Sequence, residues 1–136
     1  MSEHPLVLVV EDNMTQQRLV ALLGDRCRFN PVMCASGEDM MDVLSKTPLS
    51  EFKLVFMDWQ LSGGELDGIG CAQLIREMES GSGRRIPIVA MTAYAMDGDR
   101  ESCLQAGMDD YLAKPFTIDQ LQMMLDKWLQ DSAVSL

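Results

Sequence analysis

Four short stretches of this chain end on residues that could do chemistry. The run LVLVV at 6–10 passes straight into Glu11 and Asp12, LVFM at 54–57 into Asp58, and IVAM at 88–91 into Thr92. DYLA at 110–113 is followed by Lys114. An unpaired buried charge is among the costliest things a fold can hold, so carboxylates placed directly after apolar runs need a reason. Three carboxylates gathered at one place cannot all stay ionised without a counter-charge, and a divalent cation supplies it. Oxygen-only ligands with open positions suit Mg²⁺, which keeps some waters and accepts phosphate oxygens; Mn²⁺ is the alternative. An aspartate facing such a cation can attack a phosphoryl donor and become an aspartyl phosphate. The cation, a lysine and a hydroxyl would then neutralise the equatorial oxygens during transfer. The bland alternative is that Asp58 caps a helix and Lys114 forms a salt bridge with it.

For the five residues to meet, the elements carrying them must end at one place. The apolar runs read as strands over Leu6 to Val10, Pro31 to Ala35, Leu54 to Met57, Ile86 to Met91 and Asp110 to Leu112. Between them lie stretches of helical period: Leu19, Leu22 and Leu23; Met40, Val43 and Leu44; Ile69, Ala72, Ile75 and Met78. A final helix opens with the capping-box pattern Thr117-Ile-Asp-Gln120 and carries Leu121, Leu125, Trp128 and Leu129 on one face. Ser36-Gly-Glu-Asp39 is a weaker box of the same kind. Strands alternating with helices predict βαβ units and a parallel sheet covered on both faces. In such sheets the site lies beyond the carboxyl ends of the strands, at the reversal of strand order. Glu11 and Asp12 then sit at the mouth rather than in the core.

Bulk properties fit one soluble domain. The chain has 136 residues, 47% of them hydrophobic, with 21 Asp+Glu against 11 Lys+Arg and a net charge of −10. That balance argues against nucleic acid or an anionic membrane as a direct partner, since phosphate binding needs clustered cations. No apolar run approaches ~18 residues and no signal pattern opens the chain, so a cytoplasmic location is expected. Cys27, Cys34, Cys71 and Cys103 form no C-x-x-C pair and read as core residues in a reducing compartment. His4, the only histidine, lies near the N-terminus, which leaves no basis for histidine catalysis.

The stretches VLVVEDN, LVFMDWQ, IVAMTA and GMDDYLAKPF resemble a response-regulator receiver domain of two-component signalling, over about residues 5–130. The resemblance implies a flavodoxin-like fold, five parallel strands in the order 2-1-3-4-5 with five helices. It makes Asp58 the phosphoacceptor and Asp12 a direct Mg²⁺ ligand, with Glu11 acting through a water and Gln60 through its backbone carbonyl. Thr92 and Lys114 would bind the phosphoryl group, and Tyr111 would be the aromatic switch. It also implies a cis peptide before Pro115, and places Gln60 and Tyr94 beside the phosphoryl group as modulators of its lifetime.

The text from Ala93 to Phe116 is similar to receivers of hybrid sensor histidine kinases, which exchange phosphoryl groups with a kinase histidine or a histidine-phosphotransfer domain. An isolated domain of this kind catalyses its own phosphorylation and dephosphorylation and is otherwise no enzyme. A longer parent, if there is one, could be a hybrid kinase. A stand-alone receiver, or a docking module that works without phosphorylation, are the other readings. Weak homodimerisation through the fourth helix, fifth strand and fifth helix is compatible with the family. A phosphatase resembling haloacid dehalogenases would need Asp-x-Asp after the first strand, which Asp12-Asn13-Met14 does not supply. One departure is WQLSGGELDG, where Ser62 stands in place of the usual proline and the loop is about two residues longer. That puts partner docking in question, not the phosphorylation chemistry. Residues 131–136 read as a short polar tail, expected to be disordered.

Overall fold

The structure is a computed structural model that describes residues 4–58, 67–92, 99–114 and 116–129. Five strands, β1 (Leu6–Val10), β2 (Asn30–Cys34), β3 (Phe52–Asp58), β4 (Ile88–Thr92) and β5 (Asp110–Ala113), form one sheet in the order β2-β1-β3-β4-β5. Every pairing is parallel. The crossovers are α1 (Met14–Cys27), α2 (Gly37–Lys46), α3 (Gly68–Glu79) and α4 (Asp99–Gln105), and α5 (Ile118–Leu129) follows the last strand. This is the flavodoxin-like arrangement, with the switch of strand order between β1 and β3.

Strand alternation divides the core in two. Leu8 and Val10 face one layer with Met40 of α2, Ala72 and Ile75 of α3, and Cys103 of α4. Val7 and Val9 face the other with Val20 and Leu23 of α1, and Leu121 and Leu125 of α5. All four cysteines are buried, and none of them forms a disulfide. Burial pushes the Cys34 thiol up to about 12 and the Cys71 thiol to about 11, with nearby acids adding to the effect, so both behave as core atoms.

Helix starts follow local chemistry. Thr117 Oγ1 accepts from the Gln120 backbone N–H at 3.1 Å while Gln120 Oε1 accepts from the Thr117 N–H at 2.9 Å, a complete capping box. Ser36 caps α2 by accepting from Asp39 N–H, but the Asp39 carboxylate reaches Ala35 N–H rather than Ser36, so this box is displaced by one residue.

Three expectations need correction. β4 begins at Ile88 rather than Ile86, because the Ile86 N–H is taken by the Glu79 carboxylate and Pro87 has no N–H to give. β3 starts at Phe52, two residues earlier than its apolar run suggests. In α1 the buried stripe is Val20, Leu23, Gly24 and Cys27, whereas Leu19 and Leu22 are 37% and 69% exposed. Gly24 fixes that phase: a Cβ there would lie 2.9 Å from Phe29 O and from Pro31 Cδ, so only glycine lets α1 come this close to β2.

Candidate functional site

The polar residues singled out after the strands meet at the carboxyl end of the sheet. Glu11 follows β1, Asp58 ends β3, Thr92 ends β4, and Lys114 follows β5. Glu11 is 0% exposed, Asp58 5% and Thr92 3%. Glu11, Asp12 and Asp58 each turn one carboxylate oxygen inward, and these oxygens lie within 4.8 Å of one another. The Lys114 ammonium donates to Glu11 Oε1 at 2.8 Å and lies 3.5 Å from Asp58 Oδ1. A single cation thus bridges acids from two different strands, across 103 residues of sequence in the case of Glu11.

Backbone and side-chain bonds fix the acid loop. Glu11 N–H donates to Cys34 O at 2.9 Å, carrying the β1–β2 ladder one step past the strand end. Glu11 Oε2 accepts from Asn13 N–H at 3.0 Å, and Asn13 in turn caps α1 by accepting from Gln16 N–H. Gln17, which the sequence pattern did not single out, donates from Nε2 to Glu11 O at 2.6 Å. Its position one turn into α1, six residues after Glu11, was the only signal available. On the far side, Lys114 N–H donates to Thr92 O at 2.7 Å, which holds the start of the Lys114 loop against β4.

These residues fit a small hard cation. Ligand oxygens ~2.1 Å from Mg²⁺ stand ~3.0 Å apart when adjacent and ~4.2 Å apart when opposite. A cluster no wider than 4.8 Å therefore needs only slight tightening, or one water in place of a direct ligand. If all are ionised, three carboxylates and one ammonium sum to two negative charges, the amount a divalent ion balances.

Tyr111 is half-buried on β5, opposite Ala90 of β4, and packs against the core layer shared with α3 and α4. Gln60, Tyr94 and the Lys114–Pro115 peptide, along with Trp59, the loop through Leu66 and the 131–136 tail, lie outside the described residues. Asp67 caps α3, accepting from Gly70 N–H at 2.7 Å.

No helix among the described residues is long and apolar enough to cross a membrane. Residues 7–126 match the family model described as response regulator receiver domain. Sensor histidine kinase GacS of Pseudomonas protegens is 37% identical over 128 residues, which cover 93% of this chain and 13% of that protein. The hybrid signal transduction protein dokA of Dictyostelium discoideum is 32% identical over 124 residues, 91% of this chain and 7% of its own length. The chain therefore spans a small fraction of the curated relatives it matches. Among solved structures, the receiver domain of a sensor histidine kinase from Pseudomonas aeruginosa, with magnesium coordinated in its active-site cleft, is 36% identical. It superposes with a TM-score of 0.79, covering 94% of this chain and 99% of that one. With the sheet order, the strand-end site and these relatives together, this chain belongs to the response regulator receiver domains of two-component signalling.

Proposed function

We propose that Asp58 is the phosphoacceptor and that it takes its phosphoryl group from a phosphohistidine with Mg²⁺, or Mn²⁺ as a substitute. One observation supports this above the others: Lys114 sits between Glu11 and Asp58 at the edge of a three-carboxylate cluster. Glu11, Asp12 and Asp58 would hold the ion, with the Gln60 backbone carbonyl completing the set. Bound there, it would neutralise charge on the phosphoryl oxygens as they pass to the protein.

In the transfer an Asp58 carboxylate oxygen forms the O–P bond while the N–P bond breaks, and the electron pair returns to the imidazole nitrogen. Asp58 needs no base, because a carboxylate is already the nucleophile. Lys114 donates to a phosphoryl oxygen, exchanging part of its bond to Glu11 for the new anion. Thr92 donates its hydroxyl to another. Drawing Thr92 toward phosphate would free space beside β4 for the Tyr111 ring, which would carry the change to the surface of α4, β5 and α5.

The partner is a sensor histidine kinase or a histidine-phosphotransfer protein. In support, the receiver domain of yeast Ssk1, solved with the histidine phosphotransfer protein Ypd1, is 29% identical with a TM-score of 0.78. Met14 and Leu22 of α1 are 66% and 69% exposed, and that ridge begins two residues after Asp12. These two apolar side chains, flanking the exposed Arg18, suit a partner helix that brings a histidine to the mouth.

Incubation with Mg²⁺ and phosphoramidate, followed by intact mass, tests the reading. Wild type should gain one phosphoryl group, located on Asp58 by peptide mapping. Equal labelling of Asp58→Asn would show the assignment to be wrong.

A further inference from the structure

At the opposite pole of the sheet lies a groove of about 880 Å³, beyond the amino ends of β1, β3 and β4. Its floor and sides are apolar, formed chiefly by Pro5, Leu49, Phe52, Met78, Ile86 and Trp128. That is within the usual size of a binding pocket, roughly 300–1,000 Å³. Its rim is basic. Lys53, Arg84 and Arg85 line it and are exposed, Arg85 being paired with Asp109 at 2.9 Å, in a chain with only 11 cations against 21 acids. Among the described residues the one acid lining it, Glu79, is turned inward, bonded to Arg76 and to the Ile86 N–H.

Two ionic networks that the phosphoryl site does not use brace the walls of this groove. Arg76 donates to Gly107 O at 2.7 Å, Ile86 O at 2.8 Å, Glu79 Oε1 at 2.6 Å and Asp109 Oδ2 at 2.7 Å. This ties the end of α3, and the Gly81–Gly83 turn after it, to the start of β4. On the other wall Asp110 Oδ2 accepts from Trp128 Nε1 at 3.1 Å and from Lys127 Nζ at 2.7 Å, which holds the indole in place. Lys53 is the extra residue where the β1–β3 register skips from Phe52 to Leu54, and such a bulge re-aims a side chain out of the ladder. The groove is therefore preformed, apolar at its base and positive at its edge.

We infer that this groove binds an acidic amphipathic segment of a partner polypeptide, with apolar side chains on the Phe52–Trp128 floor and carboxylates facing Lys53 and Arg84. Charge decides the class of occupant. A basic or neutral helix would gain the apolar floor but meet Lys53 and Arg84, whereas an acidic one satisfies both. Because the groove is on the far side of the sheet from Asp58, such a segment could stay bound while a histidine partner uses the mouth.

The test uses a fluorescein-labelled peptide of about twelve residues, Leu and Glu at helical spacing, and a twin with Lys for every Glu. Anisotropy should show saturable binding of the acidic peptide that weakens with salt, and at least about tenfold weaker binding of the twin. Lys53→Glu with Arg84→Glu should cost about tenfold while phosphoramidate labelling of Asp58 is unchanged, which shows that the variant is folded. The Trp128 indole N–H resonance should shift on titration. The inference is overturned by equal affinity for the two peptides, by unchanged binding to the double variant, or by shifts confined to the Asp58 pole. It is overturned too if sedimentation shows the chain alone pairing through this groove, with the double variant monomeric, because the occupant is then a second copy.

Discussion

Replacing Lys114 by Met should move two properties of the site in opposite directions. In the structure the ammonium is 2.8 Å from Glu11 and 3.5 Å from Asp58, so it competes with any cation for the same oxygens. A divalent ion ~2.1 Å from a Glu11 oxygen that Lys114 also touches would lie within ~5 Å of Nζ. Two charges and one charge at that separation repel by about 1.7 kcal/mol even at the dielectric of bulk water (~80), and by more at the lower effective dielectric of a buried site, where salt screens little. Removing the cation should therefore tighten Mg²⁺ binding by at least about tenfold. The phosphoryl group loses a charged donor aimed at developing negative charge, a loss of about 3–4 kcal/mol or roughly 10²–10³ in rate. Calorimetric titration with Mg²⁺ reads the first effect, and intact-mass kinetics with phosphoramidate read the second. Weaker metal binding in Lys114→Met would refute the competition. A phosphorylation rate within threefold of wild type would refute the role given to Lys114.

Gly24→Ala should destabilise by about 1–3 kcal/mol, against the usual gain for glycine-to-alanine in a helix, since its Cβ would meet backbone and proline atoms at 2.9 Å; thermal melts decide, and an unchanged or higher Tm would contradict it. Burial opposes ionisation of Asp110, but the hydrogen bonds from Lys127, the Tyr111 N–H and Trp128 outweigh it and lower its pKa. Its stabilising effect is therefore present above the unfolded value of ~3.9 and lost as pH falls below that toward the folded value. The stability gap between wild type and Asp110→Asn should shrink in urea melts taken from pH 6 to pH 3, and a constant gap would count against the linkage. With 3-fluorotyrosine incorporated, beryllofluoride and Mg²⁺ should shift the Tyr111 resonance, assigned by Tyr94→Phe, and Thr92→Val should abolish the shift. A shift that persists without the hydroxyl would separate Tyr111 from Thr92. Tyr94→Ala should shorten the life of the phosphorylated form several-fold, about 1 kcal/mol in barrier, if its ring hinders the attacking water; an equal or longer lifetime argues against shielding.

What could be read from the sequence alone was whatever is encoded over a few residues. Five runs of strand length, four of them closing on a residue that could do chemistry, were enough to place Glu11, Asp58, Thr92 and Lys114 at one end of a parallel sheet, because in βαβ units every strand points the same way. The capping box at Thr117–Gln120 was legible for the same reason: its partners are three residues apart. The facing of α1 was not. Leu19, Leu22 and Leu23 fit a helical period equally well, and the choice to bury Val20 and Leu23 depends on how closely Gly24 approaches Pro31 on the neighbouring strand. Tertiary structure also decided that Lys114 bonds Glu11, and that Arg76 joins Glu79, Gly107 and Asp109. It alone brought Lys53 beside the neighbouring Arg84 and Arg85 around one apolar groove. Those partners are brought together by the packing of helices on the sheet, and no local period in the chain records which side chains such packing will bring within 3 Å.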